Sequence, residues 1–144
     1  MLNSENIFKK NAKTFYFASM FFSSKKQKDV ETLYNFCRYV DDIGDLESNK
    51  SNSKKKLNQI IQSLTKRKSK SIFVCKFIKL MDKYNIPTKI PVQLVQGVMS
   101  DTNKVNIKNN KQLFDYSFKV AGTVGLMMCS LMKIYDKELY KHAI

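Results

Sequence analysis

Apolar residues recur along this chain at intervals of three and four, and no apolar–polar alternation stands out. That periodicity, with only four glycines and two prolines in the chain, predicts an all-helical fold. A first helix spans roughly Ser4 to Phe22 and ends in aromatics (Phe15, Tyr16, Phe17, Phe21, Phe22), a stripe expected to be core. Ser23 and Ser24 supply a break and an N-cap. A second helix runs from about Lys26 to Leu46, with Val30, Leu33, Tyr34, Cys37 and Val40 on one face. Lys50 to Lys56 reads as a polar connection, followed by a short amphipathic helix carrying Leu57, Ile60, Ile61 and Leu64. After another polar break at Lys66 to Lys70, a helix carries Ile72, Phe73, Cys75, Phe77, Ile78, Leu80 and Met81 and stops at Asn85-Ile86-Pro87. Pro91 falls in the first turn of the next helix, which reaches Asp101. Asn103 to Asn110 reads as a loop or a frayed turn. Leu113 to Met132 is apolar nearly all round and is expected at the centre of a bundle. Another helix begins at Asp136 and has no stop signal before Ile144.

On a helical wheel with Val30 at zero, the apolar face of the second helix runs from about 280° to about 40°. Asp41 falls inside it at about 20° and Asp45 on its edge at about 60°, with Arg38 and Asp42 beyond at about 80° and 120°. An ionised carboxylate turned toward the core is costly without a compensating cation, and Arg38 is the neighbour available. Asp41 and Asp45 are also one turn apart on one face, a spacing suited to magnesium, which takes carboxylate, water and phosphate oxygens. The acidic turn is therefore either a metal–diphosphate seat or a solvated acidic spot. Gly122 and Gly125 lie one turn apart in the apolar helix with Ala121 beside them. Each costs the helix about 1 kcal/mol against alanine, which implies close approach by a neighbouring helix or by a ligand.

Composition narrows the choices. The 144 residues suit one domain. With 26 basic and 12 acidic side chains the net charge is +14. The lysines are spread along the chain among Asn, Ser and Ile, and no zinc-finger spacing or glycine-bracketed aromatic pattern occurs. A solvated lysine surface is the better reading, and no nucleic-acid partner is expected. Cys37, Cys75 and Cys129 are far apart, which suits free thiols in a reducing compartment, and the single His142 excludes a histidine-rich metal site. No signal peptide opens the sequence, and the run Val124 to Met128 is too short to span a bilayer. The expected location is cytoplasmic, with peripheral membrane contact to collect an apolar substrate.

Four blocks together resemble the squalene/phytoene synthases, the head-to-head trans-prenyl diphosphate synthases, over nearly the whole chain. Lys13-Thr14-Phe15-Tyr16-Phe17-Ala18 is similar to the family's N-terminal Ser/Thr-Phe block. Tyr34 to Asp45 matches its aromatic-x-x-Cys-Arg-x-x-Asp-Asp-x-x-Asp motif. Leu94 to Asp101 resembles its Gly-Met-x-x-Asp helix end. Tyr116 to Gly125 is similar to its Tyr-Cys-Tyr-x-Val-Ala-Gly-Thr-Val-Gly block. The resemblance implies an isoprenoid-synthase-type helical bundle with a central cavity. It implies an enzyme that joins two geranylgeranyl or farnesyl diphosphates through a cyclopropyl diphosphate intermediate to phytoene or a squalene-like product. Asp41 and Asp45 would bind Mg2+, and Arg38 and Thr14 would hold diphosphate. Tyr116 would sit near the ionising centre, able to orient a diphosphate or accept a proton. Phe15, Tyr34 and Val120 would line the apolar channel, and Ala121, Gly122 and Gly125 would leave room for a prenyl chain. Ala12, Ser117 and Phe118 depart from the family's usual Ser, Cys and Tyr, losing secondary polar contacts but no metal ligand. Members are roughly twice as long, and a second aspartate-rich motif follows a segment like Lys141–Ile144. The expectation is one partial domain over residues 1–144, truncated or split, inactive alone, served by a complementing C-terminal half, and with its 113–132 helix partly uncovered. The alternative is a non-catalytic helical half or assembly module of the same fold.

Overall fold

Ser23 ends the first turn-rich segment and starts the longest helix: its Oγ accepts from the Lys26 amide at 3.4 Å, as an N-cap serine should. The computed structural model describes residues 13–45, 49–102, 107–136 and 138. The expected helix from Asp136, and the part of the first helix before Lys13, fall outside them or at their margin. The regular secondary structure of the described residues is all helix, with no strand. The helices are α1 (Lys13–Ser19), α2 (Ser24–Asp45), α3 (Lys50–Thr65), α4 (Ile72–Tyr84), α5 (Lys89–Asp101), α6 (Asn110–Ser117) and α7 (Thr123–Met132), with a five-residue π turn, Phe118–Gly122, between the last two.

The core forms where α2 packs on α4, α3, α5 and α7, while α3 and the π turn pack on α5. Its largest buried pair is Phe36 on Phe77, stacked at 3.8 Å and nearly parallel. Phe36 lies at about 240° on the α2 wheel, so the buried arc is rotated away from the expected one. Tyr34 and Cys37 are only partly buried, and Val30, Leu33, Phe36 and Val40 form the true core face.

Three local devices were misread in the sequence. Helix α3 begins at Lys50, not near Leu57, because Asn49 Oδ1 accepts from the amides of Ser51 and Asn52 at 3.0 and 3.3 Å. Ser53, fully buried, then donates to the carbonyl of Ile43 at 2.9 Å. That carbonyl is among those the end of α2 leaves without a helical partner. Of the expected aromatic stripe, Tyr16 packs against the core, but Phe17 and Phe21 do not: they are 62% and 79% exposed, edge to face on each other. The 113–132 segment is not one buried helix. α6 buries none of its residues, and burial starts only at Gly122 and Thr123, on the far side of the π turn. Leu113 and Phe114 stay exposed, in line with the expectation of a partly uncovered helix.

No helix among the described residues is long and apolar enough to cross a membrane. The three cysteines are free thiols.

Candidate functional site

Two glycines set how the acidic turn of α2 meets its neighbours. A Cβ on Gly44 would lie 2.6 Å from Val98 Cγ1, so α5 can nest on α2 only where α2 lacks a side chain. Gly44 sits between Asp41 and Asp45, and Val98 is one turn before Asp101. A Cβ on Gly97 would lie 2.9 Å from Lys119 Cβ and 3.0 Å from Val120 Cγ1. The π turn therefore nests on α5 at the same level. Such turns insert one residue into the helical register, and this one begins two residues after Tyr116. The result is a corner where α2, α5 and the end of α6 converge. Gly122 and Gly125, the glycines singled out in the sequence, are buried and half-buried in the next turns.

Asp101 joins the corner from α5. Its Oδ2 accepts from the Tyr116 hydroxyl at 3.0 Å, and its Oδ1 is buried with no hydrogen-bond partner. Burial pushes the pKa of Asp101 up; the Tyr116 hydrogen bond opposes this, and the Asp45 charge adds to it. Asp41 is half-buried and its pKa is pushed up to about 6. Burial is the largest cause, followed by the charge of Asp45; Arg38 pulls the other way, and Asp42 and Asp101 add to the rise. Tyr116 is also raised, by burial, by its bond to Asp101 and by the charges of Asp101, Asp41 and Asp45, so at neutral pH it stays a phenol and a hydrogen-bond donor. These shifts tie Asp41, Asp45, Asp101 and Tyr116 into one electrostatic group.

The expected neutraliser is engaged elsewhere. Arg38 Nη2 lies 2.8 Å from Asp42 Oδ1, an i, i+4 ion pair on the outer face of α2, and its charge reaches Asp41 only through space. The wheel placed Arg38 and Asp42 side by side, and the pairing follows from that neighbourhood. Tyr34 is half-buried two turns before Asp41, its pKa raised mainly by burial. Cys37, between them, is pushed up to about 12 by burial and by Asp41, and is an inert thiol at neutral pH. Val120 leans on α5 at Gly97, Ala121 is exposed, and Asp45 is exposed at the mouth of the corner. Thr14 and Phe15 belong to α1, and their side chains lie outside the described residues. In the sequence Asp101 reads only as the end of a helix. The signal that it belongs to the site is the pair of glycines, each spaced to let a helix come close.

Among the described residues no three His, Cys, Asp or Glu side chains form a group able to hold a metal by themselves. Magnesium does not require one: it keeps waters and phosphate oxygens and takes one or two carboxylates from the protein. The half-buried Asp41 and the orphaned Oδ1 of Asp101 give the corner an excess of negative charge that such a cation would offset. The donor set fits.

Residues 8–144 match the family model described as squalene/phytoene synthase. The chain is 29% identical over 131 residues to a chloroplastic phytoene synthase of Cucumis melo, covering 85% of this chain and 30% of that protein. It is 23% identical over 141 residues to the phytoene synthase of Cereibacter sphaeroides, covering 90% and 40%. Among solved structures, a dehydrosqualene synthase superposes with a TM-score of 0.77 at 28% identity, over 89% of this chain and 45% of that one. The squalene synthase HpnC of Alicyclobacillus acidocaldarius superposes at 0.81 with 18% identity, over 97% and 54%, a likeness that speaks to the fold alone. The chain thus has the helical fold of these synthases and spans about half the length of the solved ones or less.

Proposed function

Because this chain belongs to the squalene/phytoene synthase family, we propose that it is the N-terminal part of a magnesium-dependent prenyl transferase. The reaction joins two prenyl diphosphates, geranylgeranyl or farnesyl, head to head to phytoene or a squalene-like product. The proposed activity is that of a protein of the relatives' full length, and the 144-residue chain alone is expected to be inactive. The observation that carries the reading is the corner itself: Asp41 with its pKa raised to about 6, beside the buried, unpartnered Oδ1 of Asp101.

Asp41 and Asp45 are the residues that would hold Mg2+, with Asp101 behind them. Bound there, the ion would offset the carboxylate charge and withdraw electrons from a departing diphosphate. Arg38, exposed and paired with Asp42 among the described residues, can turn to a diphosphate at little cost, since exposed ion pairs contribute at most about 1 kcal/mol. Thr14 would add a hydroxyl contact. Tyr116, held as a phenol by Asp101, would orient the diphosphate or take up a proton near the ionising carbon. Phe15, Tyr34 and Val120 would border the prenyl chain, with Ala121, Gly122 and Gly125 leaving it space.

The test is turnover of geranylgeranyl and farnesyl diphosphate with Mg2+ by the longest form of the protein the gene encodes. Asp41→Ala should abolish product formation while the helical circular dichroism is unchanged. Normal turnover by that variant would overturn the metal assignment. A second reading, a non-catalytic helical half of the same fold that acts in assembly, is favoured by the exposed Leu113 and Phe114 beside the corner. Under it, no form of the protein turns substrate over, and this chain instead restores activity to a separately produced C-terminal half.

A further inference from the structure

On the side of α2 turned away from the acidic corner, α2, α3 and α4 enclose a concavity of about 540 Å³, a size typical of small-molecule sites. Its apolar lining is Tyr39, Ile43, Ile60 and Val74, alongside Gln59, Gln62 and serines. Tyr39 is fixed there by stacking on Phe73 at 5.1 Å. Four lysines surround it, Lys56, Lys66, Lys68 and Lys70, and no Asp or Glu among the described residues lines it. Lys66, Lys68 and Lys70 lie in the same loop as Arg67, which bonds Asp82 at 3.0 Å. The start of α4 also faces the concavity through Ser71 and Val74. Ser71 makes no side-chain cap bond there, and the first-turn amides of a helix carry partial positive charge.

An apolar lining under a ring of cations selects a ligand with both an apolar body and a multiply charged anionic end. Lysine ammonium groups on flexible stems act as point charges for phosphate. We propose that this concavity binds a phosphate-bearing amphiphile, its apolar part on Tyr39, Ile43, Ile60 and Val74 and its phosphate among Lys66, Lys68 and Lys70. The site is separate from the acidic corner and needs no metal. A free phosphate ester and the headgroup of a lipid share this chemistry, and the two are separable by experiment.

The probe is dimethylallyl diphosphate, titrated calorimetrically into the chain in EDTA. Without divalent metal the acidic corner repels it, so failure of the proposed reaction and failure of this site remain distinguishable. The comparison is between Lys66→Gln/Lys68→Gln/Lys70→Gln and a control with the same charge change elsewhere, Lys25→Gln/Lys28→Gln/Lys79→Gln. The pocket triple should weaken binding about tenfold, as expected from three exposed charge contacts, with the control within about twofold and Asp41→Asn no weaker than wild type. In a parallel arm, vesicles with and without phosphatidic acid are floated with each variant. Capture by phosphatidic acid that only the pocket triple loses, with no binding of the soluble diphosphate, supports the site and assigns it to a lipid headgroup. Equal losses in the two triples, or no saturable binding in either arm, would overturn the proposal.

Discussion

Asp41→Asn should make the protein more stable at neutral pH while removing its proposed function. In the folded chain the Asp41 pKa is pushed up to about 6 from its ordinary 3.8. Two units correspond to about 3 kcal/mol at full ionisation. Asp41 is only half-buried, so solvent screening reduces this to about 1–2 kcal/mol. A carboxyl with a raised folded pKa binds its proton more tightly folded than unfolded. Stability therefore falls as pH rises from about 4 to about 6, and the penalty is fully present above that window. Asparagine has nearly the same shape and no charge. It strands no partner, because Arg38 pairs with Asp42. In thermal melts followed by circular dichroism without divalent metal, Asp41→Asn should melt about 3–8 °C higher than wild type at pH 7.5. Most of the gap should close by pH 4, where Asp41 is protonated in the folded chain and near its midpoint in the unfolded one, and it should vanish by about pH 3. A variant no more stable at pH 7.5, or a gap as wide at about pH 3 as at pH 7.5, would refute the view that Asp41 is an uncompensated inward charge.

Two further substitutions probe how the corner is built. Tyr116→Phe removes the one side-chain hydrogen bond that Asp101 accepts among the described residues, at Oδ2, and should cost about 1–2 kcal/mol at pH 7. Since that bond holds the Asp101 pKa down, the loss should grow as pH rises above about 4, which melts across pH would show. Gly97→Ala drives a methyl against Lys119 Cβ and Val120 Cγ1. Overpacking costs about 1–3 kcal/mol, and the helix regains about 1 kcal/mol, so a net loss of about 1 kcal/mol is expected; a higher melting temperature would show that the π turn yields freely.

The sequence carried the parts of this fold that rest on local periodicity. α4 and α5 are amphipathic, end at Asn85 and begin near Pro91, as their sequence patterns indicate. The inward tilt of Asp41 also followed from the wheel alone. What could not be read depends on distant partners. Lys50-Ser51-Asn52-Ser53 looks like a linker until Asn49 and the Ile43 carbonyl supply its hydrogen bonds. Phe36 lies off the expected face and is buried because Phe77 comes to meet it. Phe17 and Phe21 have core-like spacing, yet no described residue covers them enough to bury them. The same limit applies to the site. Asp41 and Asp45 announce themselves by their spacing, whereas Asp101 joins them only because Gly44 and Gly97 admit close helix contact.

The central claim is that Asp41 and Asp45 seat a cation that bridges to diphosphate. Its most direct test is calorimetric binding of a non-reactive farnesyl thiodiphosphate, with and without Mg2+, to wild type, Asp41→Ala and Asp45→Ala. In the wild type an Mg2+-dependent component of binding is expected, beyond any metal-free binding at the lysine-lined concavity, and it should be lost in both variants. An Mg2+-dependent component of equal size in all three proteins, or none in the wild type, would contradict the assignment of Asp41 and Asp45.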